Sequence, residues 1–165
     1  MRRTTVIIGA VVAAAALTLT GLPATAAEAA GSARSFSDSE TVTLPGTTIK
    51  LQANAWSPNV TSGGKVDFVT SSKTTKAGAR FNVSTIKNTA TVEARGINAS
   101  VSLPKGVSVG GAANAKSISW TNNTAWISDL SGRATYTGLT VSLHVNSAAY
   151  AFHSGVKKYV DVWSW

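Results

Sequence analysis

The chain has no cysteine among its 165 residues. That excludes a disulfide framework, a cysteine-type zinc site and a thiol nucleophile. Small secreted domains often use disulfides as staples, so this one must rely on burial and hydrogen bonding. Acids are scarce as well, seven against 15 Lys and Arg, for a formal net charge of +8. Glycoside hydrolysis needs two carboxylates facing each other across a cleft. Asp67 and Glu93 are the only acids that both fall in mid-strand patterns. His144 and His153 are the two histidines. Without a carboxylate cluster beside them they do not make a metal site, and no cofactor is expected.

What is present begins with a leader. Met1, Arg2 and Arg3 precede an apolar run from Val6 to about Leu19. Gly21 and Pro23 then interrupt it, and Ala24-Thr25-Ala26 supplies small residues for a signal peptidase. This order reads as a secretory signal peptide over residues 1–26. The run is shorter than the roughly 20 apolar residues that span a bilayer. Cleavage leaves 139 residues, enough for one domain with a proper core, carrying 13 cations against 7 acids, a charge of +6. Residues 27–39 are small and polar and are expected to form a flexible tail. A single all-β domain is expected over 40–165, in a secreted, extracellular protein.

No sustained helical stripe follows the leader. Apolar and polar residues alternate with the two-residue period of half-buried strands. Leu139, Val141, Leu143 and Val145 alternate with Thr140, Ser142 and His144; Ile97, Ala99, Val101 and Leu103 behave alike. Further strands are expected at 41–44, 47–55, 65–70, 78–86, 89–95, 117–120, 125–128, 148–153 and 157–164. Turn signals separate them, among them Pro45-Gly46, Ala77-Gly78, Lys87-Asn88, Asn122-Asn123, Ser131-Gly132 and Ser154-Gly155. Many short strands at regular spacing predict an antiparallel β-sandwich or small β-barrel.

Gly106-Val107-Ser108-Val109-Gly110 matches the Gly-x-Ser-x-Gly nucleophile elbow, with Asp129 and then His144 or His153 downstream. That chemistry requires a strand-to-helix turn exposing the serine. Here another strand pattern follows, so a Gly-rich turn is expected and no enzyme.

The five tryptophans carry the most information. An indole combines a large apolar face with one N–H donor, and serves a core or a binding surface. Trp120 shares a phase with Ile118, which predicts a core role. Trp56 closes a strand, and Trp126 follows the amides Asn122 and Asn123, a combination suited to stacking on a sugar and bonding its hydroxyls. In the last strand Tyr159, Asp161, Trp163 and Trp165 share one face, and Val160, Val162 and Ser164 the other. If the valines face inward, the aromatics form an outward stripe.

The candidate ligand-binding residues are therefore Trp56, Asn122, Asn123, Trp126, Tyr159, Trp163 and Trp165. The expected function is a secreted, non-enzymatic β module. It would associate with the cell envelope or a polysaccharide through exposed aromatics and positive charge. The expected partner is an anionic envelope polymer or glycan, with a membrane surface next and nucleic acid excluded by compartment. Two alternatives belong to other classes: a small antibacterial or membrane-active toxin, and a self-assembling surface or coat protein.

Overall fold

The computed structural model of the chain describes residues 35–58, 64–103 and 110–164. The leader, Ser108 of the Gly-x-Ser-x-Gly match and Trp165 lie outside the described residues. Those described form almost nothing but antiparallel strands, with no helix among them. The strands are β1 (Ser35–Thr43), β2 (Ile49–Pro58), β3 (Lys65–Lys76), β4 (Ala79–Arg80), β5 (Val83–Ser102), β6 (Ala115–Ala125), β7 (Ile127–His153) and β8 (Val156–Ser164). They make one open sheet ordered β1-β2-β3-β7-β5-β6, with β4 on β3 and β8 on β7.

β1 starts at Ser35, five residues before the domain start expected at Glu40, and pairs with β2 throughout. From Ser37 to Thr43 every residue but the half-buried Val42 is exposed, and the ladder to β2 holds the strand. Three of the turn signals stand inside strands: Lys87-Asn88 in β5, Asn122-Asn123 in β6 and Ser131-Gly132 in β7. Propensity for turns is a local preference, and ladder pairing overrides it, on both edges for Lys87-Asn88 and on one edge for the other two. The Ala77-Gly78 and Ser154-Gly155 signals do make turns. In both, the two central residues have positive φ (50° and 80°, 49° and 80°), the twist that joins tight hairpins.

β5 and β7 are long, at 20 and 27 residues. Drawn straight, β7 would reach about 90 Å at roughly 3.3 Å per residue. Instead it exchanges neighbours. Along one edge it pairs with β3 over Ile127–Thr135 and with β8 over Val145–His153. Along the other it follows β5. The β5–β7 ribbon bends where its register slips, between Arg95 and Gly96 and between Ile97 and Ser100. Gly96 and Gly138 sit at φ 155° and 82° there. A Cβ on Gly96 would overlap the Leu139 carbonyl, and one on Gly138 the Asn98 carbonyl. Bulges of this kind turn a strand out of its sheet.

The bend explains a departure from the alternation. Leu143 and Val145 are buried, as their phase predicts, but Leu139 and Val141 on the same phase are 66% and 80% exposed. Ile97, paired with Leu139, is also exposed. All three stand where the register of the ribbon slips.

Two apolar cores result. One joins Leu51, Ala53 and Ala55 of β2 to Ala149 and Ala151 of β7 and Val160 and Val162 of β8. The other joins Val66 and Phe68 of β3 to Ala90, Val92 and Ala94 of β5 and Leu143 and Val145 of β7. A buried polar seam crosses the same interior. Asn88, fully buried, donates from Nδ2 to Thr70 Oγ1 (2.8 Å) and accepts at Oδ1 from Ser147 Oγ (3.0 Å) and Ser72 Oγ (3.3 Å). Ser57 and Ser164 share a buried hydroxyl bond of 2.9 Å between β2 and β8. Every polar group here has a partner, which burial demands.

Candidate functional site

The two-residue turn at Ser154-Gly155 fixes what β8 presents. It pairs Tyr159 with Tyr150, Asp161 with Ala148 and Trp163 with Asn146. Val160, Val162 and Ser164 are buried, whereas Tyr159 is 66% exposed and Asp161 exposed. The valines therefore take the inside and the aromatics the outward face, the arrangement in which β8 carries an outward stripe. Burying two valines stabilises this choice by about 1.5–3 kcal/mol each, and it spares Asp161 a buried charge.

Register carries the same face across four strands. One rung runs Thr121, Lys87, Tyr150, Tyr159; the next Ser119, Thr89, Ala148, Asp161; the third Ser117, Thr91, Asn146, Trp163. Asn123, Thr85, Phe152 and Lys157 form a rung at one end, and Ala115, Glu93 and His144 at the other. Aromatics thus lie along β7 and β8, and hydroxyls along β5 and β6. The Tyr150 and Tyr159 rings meet at 4.6 Å between centroids, tilted by 41°. The hydroxyls pair across strands, Thr89 with Ser119 and Thr91 with Ser117, both at 2.8 Å. Thr85 donates to Asn123 Oδ1 at 3.3 Å. Asn146 Nδ2 donates to the Val162 carbonyl (3.1 Å) and to Asp161 Oδ2 (3.4 Å). Same-face residues along β8 repeat every roughly 6.6 Å, which puts Tyr159 and Trp163 about 13 Å apart. The surface is aromatic at one side and polar at the other.

Among the sequence candidates, Asn123, Tyr159 and Trp163 meet on this face. Trp56, Asn122 and Trp126 do not join them, and Trp165 lies outside the described residues. Trp56 lies on the outward face of β2, paired with Ser37 and Val69 and half-buried. Trp126 sits at the bend between β6 and β7. Its ring carries the Arg80 guanidinium 4.4 Å from its centroid, so the expected pairing with Asn122 and Asn123 is replaced by a cation–π contact. The Asn122 amide is engaged inside the fold, accepting from Trp120 Nε1 and donating to the Ile127 carbonyl, each at 2.9 Å. Trp120 is 56% exposed and corrects the core role expected of it. It does share the inward phase with Asn88, its cross-strand neighbour. β6 is the last strand of the sheet, and its residues are half-buried or exposed.

Tyr150, Lys87 and Asn146 were not singled out by sequence reasoning. The Ser154-Gly155 turn held the signal, because a two-residue hairpin sets which residues oppose each other.

At the far rung, Ser142 Oγ and His144 Nε2 lie 2.9 Å apart, and Glu93 is the cross-strand partner of His144. Glu93 Oε1 accepts from Arg95 Nε at 2.9 Å. Burial above all, then the Arg95 charge, holds the imidazole below its ordinary value of 6.5, against a backbone hydrogen bond with Ser164 and the Glu93 charge. Ser142, His144 and Glu93 are half-buried on the same strand face as the rungs above. Asp67, the other mid-strand acid, is held by Arg133 through two bonds of 2.6 and 2.9 Å. The two acids are thus each engaged by their own arginine. Among the described residues no three His, Asp or Glu side chains gather as a metal site.

No protein-family model matches the chain, and no curated protein sequence matches it.

Proposed function

We propose that the protein is a secreted, non-enzymatic β-sandwich module that binds a cell-envelope or other polysaccharide on the outward face of β6, β5, β7 and β8. In this reading the open sheet folds over itself into two layers, with β2 and β3 above β5, β7 and β8. The shared cores between those strands support a sandwich over a barrel. The observation that carries the function is the aromatic row Tyr150, Tyr159 and Trp163 beside a ladder of paired hydroxyls and amides. Aromatic faces stack on the apolar faces of sugar rings, while amides and hydroxyls bond their hydroxyl groups. A row of rings and hydroxyls spread across four strands suits an extended polymer, which can span several rungs.

The test is retention on insoluble cell-wall, cellulose and chitin matrices, wild type against Tyr159→Ala/Trp163→Ala. Both positions lie outside the core, so the variant keeps its fold, checked by circular dichroism. Selective loss of retention supports the reading; equal retention of both proteins, or none of either, removes it.

A self-assembling role has one observation in its favour, the exposed trio Ile97, Leu139 and Val141 at the ribbon bend. Sedimentation of wild type against Leu139→Ser/Val141→Ser separates it: a shift from oligomer to monomer belongs to assembly alone. Dye release from anionic liposomes separates the membrane-active alternative.

A further inference from the structure

Charge is segregated along the strands. The turns joining β1 to β2, β3 to β4 and β7 to β8 come together at one end of the sheet. Ile49 pairs with Lys76, Thr85 with Phe152, and the Phe81 and His153 rings meet edge to face at 5.2 Å. The segments that build this end are residues 43–50, 73–87, 121–127 and 150–158. They contain no Asp or Glu at all.

They do contain cations from three different hairpins. Lys50, Lys76, Arg80 and Lys157 are exposed, and Lys158 is half-buried. Lys73 and Lys87 stand slightly further along the strands. None of these seven joins an ion pair among the described residues, where the two salt bridges are Arg95–Glu93 and Arg133–Asp67. Aromatic rings hold two of them in place: Lys76 Nζ lies 5.3 Å from the centroid of Phe81, and the Arg80 guanidinium over Trp126. Like charges gathered without acids repel one another, and the fold is less stable for it. An arrangement of this kind calls for an anionic partner.

We propose that this hairpin end docks a linear polyanion, an envelope polysaccharide bearing phosphate or carboxylate groups. The proposal rests on the glycan reading and adds the charge of the glycan. Two features favour a polymer over a lipid surface. The turn residues are small or polar (Pro45, Gly46, Ala77, Gly78, Ser154, Gly155), with no large apolar side chain to enter a bilayer. Of the exposed large hydrophobics, Ile97, Leu139 and Val141 lie at the ribbon bend, away from this end, and Trp120 and Tyr159 border it without standing on a turn. The cationic end is also continuous with the aromatic face, since Lys87 shares a rung with Tyr150 and Tyr159. One chain can lie on the rings and carry its charged groups onto the hairpins.

The experiment compares Lys76→Gln/Lys158→Gln with Lys65→Gln/Lys116→Gln, which removes equal charge from the opposite end. Binding is read on carboxymethyl cellulose, on soluble polyphosphate, on unmodified cellulose and on anionic liposomes, at low and high salt. Wild type should bind the two polyanions and weaken steeply with salt, as exposed charges are screened. The hairpin variant should lose about tenfold or more on both polyanions, a level at which an individual contact counts as important, and the control variant should resemble wild type. Equal losses in the two variants, salt-independent binding, failure of wild type to bind either polyanion, or a preference for liposomes would overturn the proposal. Binding to cellulose without binding to polyanions leaves the aromatic-face reading standing and removes this one. Polyanion binding lost in the hairpin variant but kept in Tyr159→Ala/Trp163→Ala leaves this one standing and removes the other.

Discussion

Tyr150 and Tyr159 oppose each other directly across the β7–β8 pair, their rings 4.6 Å apart on the face that the cores leave outside. A cross-strand aromatic pair contributes about 0.2–1 kcal/mol to a sheet. The greater part of its cost to the molecule is exposure, with Tyr159 two-thirds open to solvent. An aromatic row with Tyr159 open to solvent and Tyr150 and Trp163 half-buried on an outward face is better explained by a ligand than by the fold.

The first prediction separates those two roles. Tyr159→Ala should lower the unfolding free energy by no more than about 1 kcal/mol while weakening glycan retention severalfold. Urea titration checks stability and a depletion assay checks binding. A large loss of stability with unchanged binding would assign the pair to the fold.

Asn88 gives the second. Replacing it with Ala strips partners from the buried hydroxyls of Thr70, Ser72 and Ser147. Each stranded buried polar group costs about 1–3 kcal/mol, and relaxation makes the total less than additive, so a loss of about 2–4 kcal/mol is expected. Chemical denaturation of Asn88→Ala against wild type measures it. A change under about 0.5 kcal/mol, the range typical of surface positions, would show that the seam contributes nothing.

Gly138 supplies a third. Ala at this position has both an unfavourable φ of 82° and a clash with the Asn98 carbonyl. Strain at a disfavoured backbone position is of order 1–3 kcal/mol, so Gly138→Ala should melt at a visibly lower temperature. Gly46→Ala, also at positive φ but with open space around its Cβ, should cost less. Equal melting shifts would show that crowding at the ribbon bend plays no part.

The fourth concerns pH. The His144 pKa is depressed in the folded chain, mainly by burial. The unfolded chain then binds protons more readily as pH falls through the ordinary value of 6.5 toward the folded value. Stability should therefore be fully present above that window and decline within it. His144→Gln should flatten this part of the profile. Denaturation midpoints between pH 7.5 and 5 read the difference, and parallel profiles for the two proteins would contradict the assignment.

The sequence made some of this legible. Period-two alternation identified β2, the later part of β7 and β8, and the phase of Val160 and Val162 set which face of β8 lies inside. Position within the sheet was not legible. Trp120 has the phase of a core residue, but an end strand offers that phase no cover. Leu139 and Val141 have it too, and the bend at Gly96 and Gly138 takes them out of the core. Asn88 and Asn122 read as turn residues because amides prefer turns. Pairing on both sides of β5 buried the first, and the Trp120 indole engaged the second. The aromatic face was half visible: β8 showed its stripe, while Tyr150 needed the hairpin register to be placed beside Tyr159.

The most direct test of the glycan-binding face is an NMR titration of the tryptophan indole N–H signals. The ligands are soluble oligosaccharides from cellulose, chitin and bacterial cell wall. There are five such signals, and they report from different places: Trp163 from the aromatic face, Trp56 from the outward face of β2, Trp120 from the inward phase of the end strand. Glycan binding on this face should produce a saturable shift at Trp163, with Trp56 and Trp120 unmoved. Shifts confined to Trp56 or Trp120, or none with any sugar, would contradict it.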